Sequence, residues 1–126
     1  MDDQLRARLD VYRQMPDVPD GVVDLVADEL DRLAGDHDVT DDSAGMLTSH
    51  LVTALARMAS GAPDVEAPDA GVVARAVADV PGADERAAAV SARAAEHLGT
   101  ALTPTEQQYL TLHLATLAIT SSKEKS

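Results

Sequence analysis

The sequence predicts an all-α fold. Apolar residues recur at helical spacing through most of the 126 residues, and no segment shows the alternation with period two that is typical of a half-exposed strand. Phe and Trp are absent and only two tyrosines are present. The core must therefore consist of Leu, Val, Met and Ala, which favours closely packed helices over an aromatic-filled sheet sandwich. A chain of this length most simply forms one domain.

The N-terminal half of the chain predicts three helices. The first covers residues 4–14 and is followed by a proline-containing connector, whose last residue, Asp20, is the expected N-cap of the second helix. The apolar stripe of the second helix ends at Gly35. A third stripe predicts a helix over 43–59, which Gly61 ends.

The C-terminal half predicts three more helices. A valine-rich segment at 72–80 and an alanine-rich segment at 84–98 give two of them. The last helix has the clearest start in the chain, with Thr103 as N-cap, Pro104 at the first helical position and Glu106 closing a capping box. These signals therefore predict that His113 lies within a helix.

The predicted helices divide the chain into three parts. Residues 1–19 form an N-terminal helical appendage with its linker, and residues 20–118 form a bundle of five helices. Residues 119–126 are rich in Ser and Lys and predict a disordered tail.

Charge and composition exclude several classes of protein. The 22 acidic residues exceed the 10 basic ones and give a formal net charge of −12, a field that repels phosphate backbones, so we expect no direct nucleic-acid binding. The absence of cysteine excludes disulfides and thiolate chemistry and fits a reducing cytoplasm. No apolar run approaches the roughly 20 residues that a bilayer span needs. We therefore expect a cytoplasmic protein without a membrane segment.

Two histidines stand among apolar neighbours at helical spacing. The segment 48–53 contains His50 and shares the pattern Thr-x-His-Leu-x-Thr with the segment 111–116, which contains His113. Arg57 follows His50 by seven residues and so lies on the same row of its helix, two turns away. Both helices are thus expected to direct one histidine inward.

Known catalytic and metal-binding patterns are missing. The sequence contains no Glu-x-x-His pair, no His-Glu-x-x-His, no glycine-rich phosphate loop and no Gly-x-Ser-x-Gly, so we expect neither an enzyme nor a cofactor. His37 lies in a charged turn and is expected in solvent, and His97 lies in the last turn of a helix, where a cation stabilises the dipole. Three roles remain open for His50 and His113: core-edge residues, a metal pair completed by dimerisation, and phosphoryl acceptors.

Two segments resemble the PTS regulation domain (PRD) family. Residues 102–114, Leu-Thr-Pro-Thr-Glu-Gln-Gln-Tyr-Leu-Thr-Leu-His-Leu, resemble the last helix of that domain, with an acidic residue, an apolar or aromatic pair, and a histidine before an aliphatic residue. Residues 47–57 resemble its earlier histidine helix, with a basic residue two turns on. The order and spacing of the helices agree with the family from about residue 20 to 118.

The resemblance implies a compact five-helix bundle that forms a homodimer and regulates transcription through a partner. His50 and His113 would accept phosphoryl groups from HPr or an enzyme IIB component of a sugar phosphotransferase system, facing each other across a symmetric interface, with Arg57 as the neighbouring cation. The family often has Asp where Ser49 stands, and its members usually carry paired domains behind an RNA-binding or helix-turn-helix module, for which this chain has no room. The alternative is a structural helical dimerisation or adaptor protein whose histidines are inert.

Overall fold

The computed structural model describes residues 2–63 and 65–121, and this part of the chain is all-helical, as the sequence predicts. Its six helices are α1 (Asp3–Arg13), α2 (Asp20–Leu33), α3 (Asp41–Ser60), α4 (Ala70–Asp79), α5 (Ala83–Leu98) and α6 (Pro104–Ser121). None of them is both long enough and apolar enough to cross a bilayer.

Local signals set most helix ends. Gly61 and Gly99 end α3 and α5 in the left-handed conformation, with φ of 74° and 73°, which a residue with a Cβ rarely adopts. The predicted cap at the start of α6 is confirmed, because the Thr103 hydroxyl accepts a hydrogen bond from the Glu106 backbone N–H at 3.2 Å. These ends match the predicted ones.

Three predicted helix starts were wrong. Helix α4 begins at Ala70, two residues before the predicted segment 72–80, because the Asp69 side chain caps it. Asp20 is the first residue of α2 and not its N-cap; the extended residue before it, Pro19, takes the cap position without a side-chain hydrogen bond. Helix α3 begins at Asp41, two residues earlier than predicted, because Thr40 and Ser43 form a reciprocal capping box. The Thr40 side chain accepts from the Ser43 N–H, and the Ser43 side chain accepts from the Thr40 N–H.

The core lies between α6 and the helices α3, α4 and α5 on one side, and between α2 and the helices α1, α3 and α5 on the other. It consists of Leu, Val and Ala, as predicted, whereas Met, which was also expected there, is not among the buried residues that the structure describes, and Met58 is only half-buried against the core. The largest fully buried side chains include Leu5, Leu30, Leu55, Leu110, Leu117, Val22, Val23, Val26 and Val52. Burial of each Leu or Val contributes about 1.5–3 kcal/mol, which makes this core the main source of stability.

Helix α1 is packed against α2 and α3. Leu5 and Leu9 are both buried in the common core. At the surface, Arg8 Nε donates to Asp41 Oδ1 at 2.7 Å and Arg8 Nη1 donates to the Ser49 hydroxyl at 3.0 Å, so that one guanidinium joins α1 to two turns of α3. The division into an appendage at 1–19 and a five-helix bundle at 20–118 stays a prediction.

The C-terminal helix continues into the segment predicted as a tail. Helix α6 ends at Ser121, so residues 119–121 are helical. Residues 122–126 of the predicted tail lie outside the described residues.

One ion pair joins α2 and α5 at the edge of the core, between the buried Glu29 and the partly exposed Arg93. The Glu29 carboxylate is buried, with 3% of the residue exposed, and accepts hydrogen bonds from Arg93 Nε and, at 2.6 Å, from Arg93 Nη2. The planar guanidinium matches both carboxylate oxygens at once. This bidentate pair fixes the register of α5 on α2.

Candidate functional site

His50 and His113 meet where α3 packs against α6. On α3, Leu47, Leu51 and Leu55 are buried and hold the helix against its neighbours. His50 lies at the edge of this face, with 24% of its side chain exposed. His113 lies at the edge of the corresponding face of α6, beside the buried Leu114. The two imidazole rings have centroids 4.8 Å apart and are tilted by 33°.

The contact between the two rings is made within one chain. The sequence predicted that each helix directs its histidine inward, and the resemblance implied that the histidines face each other across a symmetric interface. Here the packing of α3 on α6 already brings them together. A second copy is therefore not needed to form the pair.

Glu106 is the third member of this cluster. Its side chain is 4% exposed, and its Oε1 lies 3.4 Å from His50 Nε2, with both atoms buried. The sequence assigned Glu106 only to the helix cap. It precedes His113 by seven residues, two turns of α6. This spacing places Glu106 on the same row of α6 as His113, but it does not reveal the contact that Glu106 makes with His50 on α3.

Tyr109 and Arg57 each donate a hydrogen bond to the segment between α3 and α4, which also lines the pocket of the two histidines. The Tyr109 ring lies 5.6 Å from the His50 ring at an angle of 53°, and its hydroxyl donates to the Glu66 carbonyl at 2.6 Å. Arg57 Nη2 donates to the Pro63 carbonyl at 2.7 Å. The sequence identified Arg57 but not Tyr109, whose role depends on a contact 43 residues away in the chain.

These side chains line a pocket of about 420 Å³. Its lining residues come from α3, α6 and the segment between α3 and α4: His50, Thr53, Ala54, Arg57, Val65, Glu66, Glu106, Tyr109 and His113. The three residues that the sequence singled out, His50, His113 and Arg57, thus line one pocket. The pocket is partly open to solvent, and the hydrogen bond that Arg57 makes to the Pro63 carbonyl is exposed.

The other two histidines lie elsewhere. His97 is exposed in the last turn of α5, as predicted. His37 is only partly exposed and lines a separate pocket with Asp36 and Arg86, so the expectation that it lies free in solvent was wrong. The turn after α2 folds back on the helix, and the backbone N–H of His37 donates to the Leu33 carbonyl at 2.9 Å.

Burial keeps both imidazoles of the pair neutral. It lowers the pKa of His50 from 6.5 to about 4, and the adjacent His113 adds a smaller lowering effect. Burial also lowers the pKa of His113. At pH 7 each ring therefore carries one N–H and one nitrogen with a free lone pair, the form that acts as a nucleophile or a metal ligand.

A metal centre within one chain is not favoured. Among the residues that the structure describes, no group of three or more His, Asp or Glu side chains is placed to hold a metal ion. The metal pair completed by dimerisation, like the nucleophilic and the structural role, stays a prediction for His50 and His113.

No protein-family model, curated protein or solved structure matches this chain. The similarity to the PRD family consequently stays an interpretation of the residues.

Proposed function

We propose that this chain is a phosphorylation-responsive regulatory domain of a phosphoenolpyruvate-dependent sugar phosphotransferase system. His50 and His113 accept phosphoryl groups from HPr or an enzyme IIB component. The observation that supports this proposal most is the convergence of two neutral imidazoles and one arginine, from the two helices α3 and α6, on one open pocket.

The neutral state of the rings favours phosphoryl acceptance. A phosphoryl group is transferred to an imidazole lone pair, which protonation would remove. Because the pKa of each histidine is lowered below 6.5, the neutral form that carries this lone pair predominates at pH 7. Arg57 lines the same pocket and supplies a cation that can contact the transferred group.

The regulatory signal is a change of charge. A phosphoryl group adds up to about two negative charges at neutral pH. The chain already has a net charge of −12. The added phosphoryl charge therefore alters the electrostatic interaction of the pocket surface with a second copy or a transcriptional partner. Because the rings lie 4.8 Å apart, a group on one ring disfavours a second group on the other.

A structural adaptor with inert histidines is the second candidate. The mutual burial of the two rings and the nearby Tyr109 favour it, since such contacts also stabilise a helix interface. It predicts that replacing His50 or His113 by Gln leaves every partner interaction unchanged.

The test is intact mass spectrometry at alkaline pH, where phosphohistidine persists. The protein is incubated with phosphoenolpyruvate, enzyme I and HPr, and then with enzyme IIB components added. We expect a gain of one phosphoryl mass that acid removes and that His50→Gln or His113→Gln reduces, whereas His97→Gln, at an exposed position, retains it. Absence of any gain with all donors would favour the adaptor.

A further inference from the structure

The two ring nitrogens of His50 have different surroundings. Nε2 is buried and faces Glu106 Oε1 at 3.4 Å. The side chain as a whole is 24% exposed. Solvent therefore reaches His50 through its other atoms and not through Nε2.

Glu106 is placed to determine which nitrogen carries the hydrogen. It lies in the first turn of α6, where the N–H groups of the helix start favour an ionised carboxylate. A neutral imidazole has one N–H. If the hydrogen is on Nε2, a donor faces the carboxylate; if it is on Nδ1, a lone pair faces another lone pair at 3.4 Å. The first tautomer is favoured, and it leaves the free lone pair on Nδ1.

We infer that Glu106 is a positioning residue that holds His50 in the Nε2–H tautomer, so that the phosphoryl group enters this histidine at Nδ1. The tautomer rests on the position of Glu106 beside Nε2 and on the negative charge of its carboxylate, whereas phosphoryl entry also rests on the proposed function.

The transfer step is balanced without a further reactant. The Nδ1 lone pair forms the new N–P bond, and the bond between phosphorus and the leaving group of the donor breaks, with its electron pair going to that leaving group. With phosphoramidate as donor the leaving group is ammonia. His50 keeps its hydrogen on Nε2, so the phosphorylated ring bears a positive charge, which the Glu106 carboxylate stabilises.

The first test reads the tautomer by two-bond ¹H–¹⁵N correlation spectra of the imidazoles at pH 7. In the wild-type protein we expect His50 as the Nε2–H form. Glu106→Gln removes the charge and is expected to give a mixture of tautomers, whereas Glu96→Gln, which removes one negative charge at an exposed position on α5, leaves the spectrum unchanged. An Nδ1–H form in the wild type would overturn the role of Glu106.

The second test locates the phosphoryl group with phosphoramidate as the only donor, which avoids any need for the partner protein. The wild type, His113→Gln and His113→Asn are treated, and phosphohistidine isomers are identified by ³¹P and ¹⁵N spectra. We expect the Nδ1 isomer at His50 and a rate at least about tenfold lower in Glu106→Gln, since this variant lacks the negative charge that lies 3.4 Å from His50 Nε2 and stabilises the phosphorylated ring.

These outcomes distinguish the inference about Glu106 from the proposed function of phosphoryl acceptance. The Nε2 isomer at His50, or equal rates in Glu106→Gln and Glu96→Gln, would overturn the inference and leave the proposed function intact. Failure of His50 to accept phosphoryl from phosphoramidate and from HPr alike would overturn both its acceptor role and phosphoryl entry at Nδ1. The tautomer spectrum would still decide whether Glu106 orients the ring.

Discussion

His50 and His113 belong to different helices, yet their imidazole rings are in contact, with centroids 4.8 Å apart. This relationship depends on the packing of α3 against α6, and both rings lose hydration because of it. The consequence is a pair of histidines that stays neutral at physiological pH. Four predictions concern this pair and the ion pairs that hold the fold around it.

Stability should fall on acidification between pH 6.5 and 4.5. The folded-state pKa of His50 is about 4, below the unfolded value of 6.5, so the unfolded chain binds more protons in this window and stability rises with pH. Since the side chain is 24% exposed, we expect a loss of about 1–2 kcal/mol over two pH units. Urea denaturation at several pH values measures it.

The variants that test this pH dependence are His50→Gln and His97→Gln. The first should flatten the slope, whereas the second removes an exposed histidine and should leave it unchanged. Asp41, whose pKa its Arg8 partner lowers below 3.8, loses its contribution only at more acid pH. An unaltered slope in His50→Gln would contradict the assignment.

Loss of the cation from the buried pair should destabilise the fold strongly. Arg93→Met leaves the Glu29 carboxylate buried without its partner, and we expect a loss of about 2–4 kcal/mol in the free energy of unfolding. The matched control is Arg86→Met, since Arg86 pairs with the exposed Asp36 at 3.3 Å and should cost less than about 1 kcal/mol. Similar losses in both variants would refute the difference in burial as the cause.

Gly45 makes room for the guanidinium that joins α1 to α3. A Cβ at Gly45 would lie 3.0 Å from Arg8 Nη2 and 3.2 Å from Asp41 Oδ1. Alanine normally stabilises a helix interior by about 1 kcal/mol over glycine, but here we expect Gly45→Ala to destabilise by about 1 kcal/mol. In an Arg8→Ala background the same change should stabilise the protein. An equal gain in both backgrounds, by urea denaturation, would disprove the coupling.

Arg57 should matter for phosphoryl acceptance more than for stability. Its hydrogen bond to the Pro63 carbonyl is exposed, so Arg57→Gln should cost less than about 1 kcal/mol. We expect it to slow phosphoryl acceptance about tenfold, because a charge-assisted contact is lost. Arg75→Gln removes one equally positive charge at an exposed position on α4. If the two variants slow the reaction equally, only net charge is involved.

The sequence predicted local features well because local chemistry determines them. Thr103, Gly61 and Gly99 mark helix ends through their own hydrogen bonds and backbone angles, and the structure has those ends. The start of α3 was missed, since Ser43 takes the capping-box position where the usual pattern has Glu or Gln.

Features that depend on packing could be predicted only in part. The inward direction of His50 and His113 followed from helical spacing, but their mutual contact required the relative placement of α3 and α6. Glu106 and Tyr109 lie on α6 and contact His50 on α3, so no spacing within one helix reveals either contact. Cross-helix contacts of this kind complete the site.

The most direct measurement of the proposed function is the phosphoryl content of two double variants after incubation with phosphoenolpyruvate, enzyme I, HPr and enzyme IIB components. His37→Gln/His97→Gln keeps the pair in the pocket, and His50→Gln/His113→Gln removes it. We expect acid-labile phosphoryl mass on the first variant, as on the wild type, and none on the second. The same phosphoryl mass on both variants, or none on the wild type, would contradict phosphoryl acceptance by His50 and His113.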